Sequence, residues 1–266
     1  MNPHPHEPAT AAGPAAHPSA FDIGLHRVGL TAPLRWLQLG WHDFMRAPVI
    51  GVFYGASFAA MGWMLLLLFR HAPAYTLALS AGFLLAGPFL CLGLYDVSRR
   101  LERAEMPRLA ASLVVWRERT GTMAVFGALL LILEMLWARA SLVVFALSFD
   151  GMPDFRGSML ALLDPENLAF IVAYLAVGGL FAGIIFAIAV VAMPMILDRQ
   201  TDAITAGLTS LRLCLTQPAV MLCWGAVITL LVVLAMLPGF AGLLIVAPVL
   251  GHASWHAYRA TVAAPS

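Results

Sequence analysis

The chain has 266 residues, of which 61% are hydrophobic and 11% charged, with a net charge of +1. So few charges, against roughly 25% in a soluble domain, exclude a water-soluble fold. The near-neutral balance carries no message about acidic partners, so the distribution of charge matters more than its sum, and no nucleic-acid partner is expected.

Residues 1–29 come first, with Pro3, Pro5, Pro8, Pro14 and Pro18 set among Ala and His. They hold no apolar stretch that could serve as a signal peptide, and their composition predicts a disordered cytoplasmic tail. His4, His6 and His17 offer a weak metal site on it. A short amphipathic helix follows, with Leu34, Leu37, Trp41 and Phe44 at helical spacing. Two apolar stretches, 49–69 and 74–95, then reach the roughly 20 residues that an α-helix needs to cross a bilayer. The second contains Pro88 and ends in Asp96, Arg99 and Arg100. A weaker stripe of Leu109, Leu113 and Trp116 precedes a third span, 122–149.

The third span contains Glu134 and Arg139. An intramembrane carboxylate marks a functional candidate by default, because it costs about 2.5 kcal/mol or more to place there. Five residues turn about 140° around a helix, so the two charges do not share a face. An acidic loop with Asp150, Asp154, Asp164 and Glu166 leads to the fourth span, 168–197, which carries Pro194 and is followed by Asp198, Arg199 and Asp202. A further stripe, Ile204, Leu208, Leu211 and Leu215, introduces the spans 219–237 and 240–258. The last holds Pro248 and ends in His252, His256 and Arg259. The two histidines stand at i and i+4 on one face, a spacing that could share a metal.

All fifteen basic residues are Arg, and all but Arg70, Arg139 and Arg156 fall in the tail and loops on one side of the spans. The positive-inside rule therefore predicts that both termini are cytoplasmic. Cys91, Cys214 and Cys223 lie in or beside spans and imply no disulfide.

The spans repeat. Ala81, Gly82, Leu84, Pro88, Leu90 and Arg99 recur at an offset of 160 as Ala241, Gly242, Leu244, Pro248, Leu250 and Arg259. Pro48, Tyr54, Gly55 and Ala56 recur at 170 as Pro218, Trp224, Gly225 and Ala226, and Ser112, Leu113, Met123, Gly127 and Ala128 recur at 98 from Ser210 to Ala226. The expected fold is an all-α transmembrane six-helix bundle over 30–262, built from three parallel repeats of an interfacial amphipathic helix plus a helical hairpin. The units run at about 30–103, 104–199 and 200–262. Each return span carries a proline, and the freed carbonyls need protein or water to satisfy them.

Three motifs carry a resemblance. They are Gly87 and Pro88 with Gly93, Leu94, Tyr95, Ser98, Arg99 and Arg100; Pro194 with Leu197, Asp198, Arg199, Asp202, Thr205 and Ala206; and Gly251, His252, Ala253, Trp255, His256, Tyr258 and Arg259. From about Leu34 to Val262 the chain resembles a family of bacterial six-span integral membrane proteins of unknown function. Some relatives bear the label of cytochrome c oxidase subunits. A haem-copper subunit needs about twice as many spans and several deep histidines, which this chain does not have.

The sequence holds no nucleotide-binding loop, nucleophile elbow, zinc-protease helix or dinucleotide fingerprint. The leading expectation is a non-enzymatic accessory, scaffold or assembly component of the bacterial inner membrane, without cofactor, in contact with lipid and with another membrane complex or itself. The alternative is a small transporter or a lipid- or small-molecule-binding protein, with a central cavity among Pro88, Pro194, Pro248 and Glu134. A third reading is a redox accessory with haem or metal at His252 and His256. Asp96, Arg99, Arg100, Asp198, Arg199, Asp202 and Arg259 are expected around one cytoplasmic mouth.

Overall fold

A computed structural model of the chain describes residues 19–71, 76–148, 168–199 and 201–264. His4, His6 and His17 of the tail, the acidic loop and Arg156 lie outside the described residues. The rest is helical: α1 (Ala32–Arg46), α2 (Pro48–His71), α3 (Thr76–Glu102), α4 (Leu109–Val114) running on through a 3-10 segment (Val115–Arg119), α5 (Thr120–Ser148), α6 (Leu168–Ala189), α7 (Ala192–Asp198), α8 (Ala203–Thr216), α9 (Pro218–Met236) and α10 (Leu243–Thr261). Four stretches are long and apolar enough to cross a bilayer: Pro48–Leu68, Leu109–Ser148, Leu168–Asp198 and Pro218–Met236.

Proline sets two of the corners. Ala47 (φ −134°, ψ 53°) ends α1 before Pro48, and Gln217 (φ −133°, ψ 55°) ends α8 before Pro218. The residue before proline is pushed out of the helical region, while proline itself is well placed to start the next helix. The two corners therefore turn the chain alike.

The fourth apolar stretch, expected to be continuous over 168–197, breaks at Val190 and Val191. Pro194 has no N–H and its ring crowds the carbonyl four residues earlier, so the helix parts there. Ser210 of α8 makes good the loss: its hydroxyl donates to the Ala187 carbonyl at 2.8 Å and accepts from the Val191 N–H at 3.4 Å. In α10 the proline is absorbed without a break. Pro248 leaves the Leu244 carbonyl without its helical partner, and that carbonyl sits against Gly55 of α2, where any Cβ would collide with it.

α10 is the hub, packing on α1, α2, α3, α7 and α9. Gly40 lets α1 approach it closely; a Cβ there would lie 2.6 Å from the Ala253 nitrogen and the Val249 oxygen. The core below is rich in large rings. Trp36 and Trp224 meet edge to face at 5.5 Å in one buried cluster with Phe126, Trp255 and Tyr258, while Tyr54 lies in a second cluster with Leu94 and Val97.

The short helices each divide into sectors. α1 turns Trp36, Gly40 and Asp43 to the protein, Leu34, Trp41 and Met45 outward, and exposes Arg35, His42 and Arg46 on the remaining face. α8 buries Ala206, Gly207, Ser210 and Leu213 while Ile204, Leu208 and Leu215 point away. Before α5, Ser112 and Val115 are buried and Leu113 and Trp116 exposed. Much of each apolar stripe thus faces what surrounds the bundle, although Phe44 of α1 is buried and Leu37 packs on the core, and the smaller or more polar face packs inward. That arrangement suits helices lying at a membrane boundary.

Residues 19–28, read from sequence as part of the tail, form a strap on the bundle. Ala20 and Ile23 are buried. The Arg212 guanidinium donates to the carbonyls of Ala20, Phe21 and Ile23 at 2.7–3.1 Å, and Gln217 bridges the His26 carbonyl and the Val28 N–H. An antiparallel bridge joins Leu25 to Val262, so both ends of the described chain meet on one side.

Candidate functional site

The polar residues concentrate at one end of the bundle, where α3, α7 and α10 finish. Asp96, fully buried, accepts from Arg99 at 2.7 Å and from Arg100 at 2.8 Å, an i+3 and i+4 fork on one helix face. Arg99 also donates to the Leu197 carbonyl at the end of α7 at 3.1 Å. The Asp96 carboxylate beside Arg100 holds that guanidinium even more firmly protonated than usual.

Asp198 completes the link. It accepts from the Tyr258 hydroxyl at 2.8 Å and lies 3.6 Å from Arg259, which is bound in turn to Glu102 at 2.9–3.0 Å. Glu102 also accepts from the Trp255 indole at 3.1 Å. Arg199 donates to the Tyr258 hydroxyl at 2.8 Å and to the Ala263 carbonyl. Six of the seven residues expected around a mouth therefore knit the three helix ends together. Asp202 does not join them. It caps α8, accepting from the Ile204 and Thr205 N–H groups at 2.9 Å, and the contacts from Thr205 hold its carboxyl below the usual range.

The two histidines of α10 part company. His256 Nε2 lies 2.8 Å from Asp43 on α1, and His252 Nδ1 lies 2.8 Å from Ser98 on α3. Burial pushes the Asp43 carboxyl up, but the hydrogen bonds from His256 and Ser98 and the nearby imidazoles outweigh it and hold the acid below its ordinary value. His252 Nδ1 and His256 Nε2 thus face different partners, while His252 Nε2 is buried without a hydrogen-bond partner, and no group of three or more His, Cys, Asp or Glu side chains that could hold a metal occurs among the described residues. The three cysteines are free thiols.

Asp43 and Ser98 were not singled out from the sequence. The signal was there: Asp43 is the sole acid of α1 and sits on the same face as Trp36 and Gly40, away from the apolar stripe.

Glu134 lies on the buried stripe of α5 with Met123, Phe126, Gly127, Leu130 and Ser141. Arg139 is exposed on another face, without an ion pair or hydrogen bond among the described residues. Pro194 and Pro248 are buried and Pro88 is half-buried.

α6 buries none of its residues. On its outer face a groove of about 400 Å³ runs along Gly179, Leu180, Gly183, Ile184, Ala187 and Ile188 to Leu211 of α8. A Cβ at Gly179 or Gly183 would meet nothing within 4 Å.

Residues 76–198 match the model of a family described as predicted integral membrane protein, DUF2189. The match takes in the motif from Gly87 to Arg100 and, of the one beginning at Pro194, only the part through Asp198; it stops before the motif from Gly251 to Arg259. No curated protein and no solved structure matches the chain.

Proposed function

We propose that this chain, whose residues 76–198 match the DUF2189 family model, serves as a non-enzymatic accessory or scaffold in the bacterial inner membrane, presenting the Gly179–Gly183 face of α6 to a helix of another membrane chain. In this reading α3 and α10 join the four long apolar stretches as spans five and six, and the arginine-rich side that holds both chain ends is cytoplasmic. Three units of one short helix and one hairpin build the bundle. The matching corners at Ala47 and Gln217 support that reading, because both follow from the same helix–Pro–helix step.

One observation carries the functional proposal: α6 buries none of its own side chains and exposes a small-xxx-small pair over an apolar groove. Apolar side chains alone do not drive helices together in lipid, since the tails are equally apolar; close backbone approach at small residues does. The ion-paired plate at the other side of the bundle makes a rigid base for such contact. It also fills the end where α3, α7 and α10 meet, which disfavours an open passage there.

The test replaces both glycines, Gly179→Leu with Gly183→Leu, and measures native mass after extraction in mild detergent. The wild type is expected to run with a partner chain or as a dimer of itself, and the double variant as a folded monomer. A wild-type protein that remains monomeric in detergent and in lipid nanodiscs overturns the proposal.

A further inference from the structure

Three polar atoms on α5 are buried without a protein partner: Glu134 Oε2, Trp137 Nε1 and Ser141 Oγ. Glu134 is 5% exposed and Ser141 8%. They stand at i, i+3 and i+7, so they share one helix face and follow each other at about 4.5 Å and then about 6 Å along the axis. The same face carries the packed side chains of Met123, Phe126 and Leu130 nearer the start of the helix. The stripe is therefore dry and filled in its first half and polar in its second.

Gly178 of α6 stands opposite Trp137. A Cβ built there would lie 3.7 Å from the indole nitrogen, so the glycine keeps a side chain out of the space beside this N–H. Within hydrocarbon each unpaired polar group costs several kcal/mol, and three in succession on one face are not left unmet. The groups are a carboxyl, a donor-only indole N–H and a hydroxyl, so their common complement both donates and accepts. Water does both. Two hydrogen bonds of about 2.8–3.0 Å through one water span a gap close to these spacings.

We infer that Glu134, Trp137 and Ser141 line a narrow water-holding slot that opens toward the end of α5 and stops at Leu130. It hydrates the Glu134 carboxyl from one side of the membrane only. Among the described residues the groups packed about it offer no competing ion pair: α6 carries Tyr174 as its single titratable residue, Arg139 lies on another face of α5, and Arg212 of α8 is occupied by the strap carbonyls. The slot is a dead end that exchanges water and protons at Glu134, and the apolar plug below it separates that exchange from the Arg-rich side.

Two measurements test the inference. In protein reconstituted in liposomes with Cys91, Cys214 and Cys223 replaced by Ala, a charged thiol reagent is added to one side at a time. Ser141→Cys is expected to be labelled at least tenfold faster than the outward-facing Leu142→Cys, and only from the side opposite the chain ends. Leu130→Cys is expected to stay unlabelled from either side. The second uses the unmodified protein. The infrared band of the Glu134 carboxyl, identified by its loss in Glu134→Gln, is expected to shift within seconds of transfer to heavy water while the amides of α5 remain unexchanged. Equal labelling of Ser141→Cys and Leu142→Cys overturns the slot, and so does a Glu134 band that shifts only as slowly as the surrounding amides. The infrared result stands whether or not the cysteine variants fold.

Discussion

Asp96 has no exposed surface, yet it holds two guanidinium groups within 2.8 Å. Its removal leaves Arg99, itself 12% exposed, without its nearest counter-charge. Breaking a buried pair from one side costs about 3–5 kcal/mol, more than the pair itself contributes. Asp96→Ala should therefore lower the unfolding midpoint in detergent by a clear margin, and Asp198→Asn, whose site is more open, by less. Asp43 makes a different prediction. Its folded pKa lies below the unfolded value of about 3.9, so the stabilisation it gives is complete above that pH and is lost as the pH falls through the folded pKa. Melting temperature followed from neutral pH into that acid range should fall less steeply in Asp43→Asn, which begins less stable. The Asp96 fork could be read from the sequence because its partners lie three and four residues away on one helix. Asp43 pairs with His256 across 213 residues, and no local spacing announces that contact.

Helices and their order were legible because apolar runs of span length alternate with short amphipathic stretches, and prolines mark two of the starts. What periodicity did not give is the direction each stripe faces. Leu34, Trp41, Leu208 and Leu215 were read as stripes of interfacial helices without a direction for each, and the structure turns them outward. In a bilayer an apolar side chain is equally at home against lipid, so the usual inference from apolar to buried fails, and small residues mark the packed face instead. Gly40 is such a residue. Gly40→Val should force α1 from α10, with a cost of about 1–3 kcal/mol from overpacking alone. The readout is thermal unfolding together with faster proteolysis of the strap; an unchanged profile would show that α1 is not held by this crossing. The break at Val190 was partly foreseen through Pro194, but whether proline kinks or parts a helix depends on what waits beside it. In α6–α7 a serine from α8 takes up the loose ends, whereas in α10 a glycine of α2 makes room for the freed carbonyl.

Across the whole molecule, the membrane class follows from composition, while closure of the bundle follows from contacts that composition does not encode. The strap is held mainly through its own backbone carbonyls and N–H groups, which every residue possesses, so its attachment left no mark in residue type. Arg212 was legible as a basic residue but not as a clasp. The plate at the ends of α3, α7 and α10 came closer, since three sets of charges at equivalent positions predicted that they would meet. Glu134 was found by its rarity in a span, whereas its neighbours Trp137 and Ser141 are ordinary residues made notable only by burial without a partner.

The central place of α10 has a consequence for how the protein is made. α1 and α2 emerge from the ribosome first and α10 last, yet these three are packed together. Until the final helix is inserted, Asp43 has no His256, the seat for the Leu244 carbonyl at Gly55 stands empty, and the strap has no Val262 to bind. Each earlier hairpin can enter the bilayer in turn, but the finished packing of α1 and α2 waits for α10. A product cut short before it would keep an acid and two unfilled helix faces on display, a mark of incompleteness that a membrane protease could read.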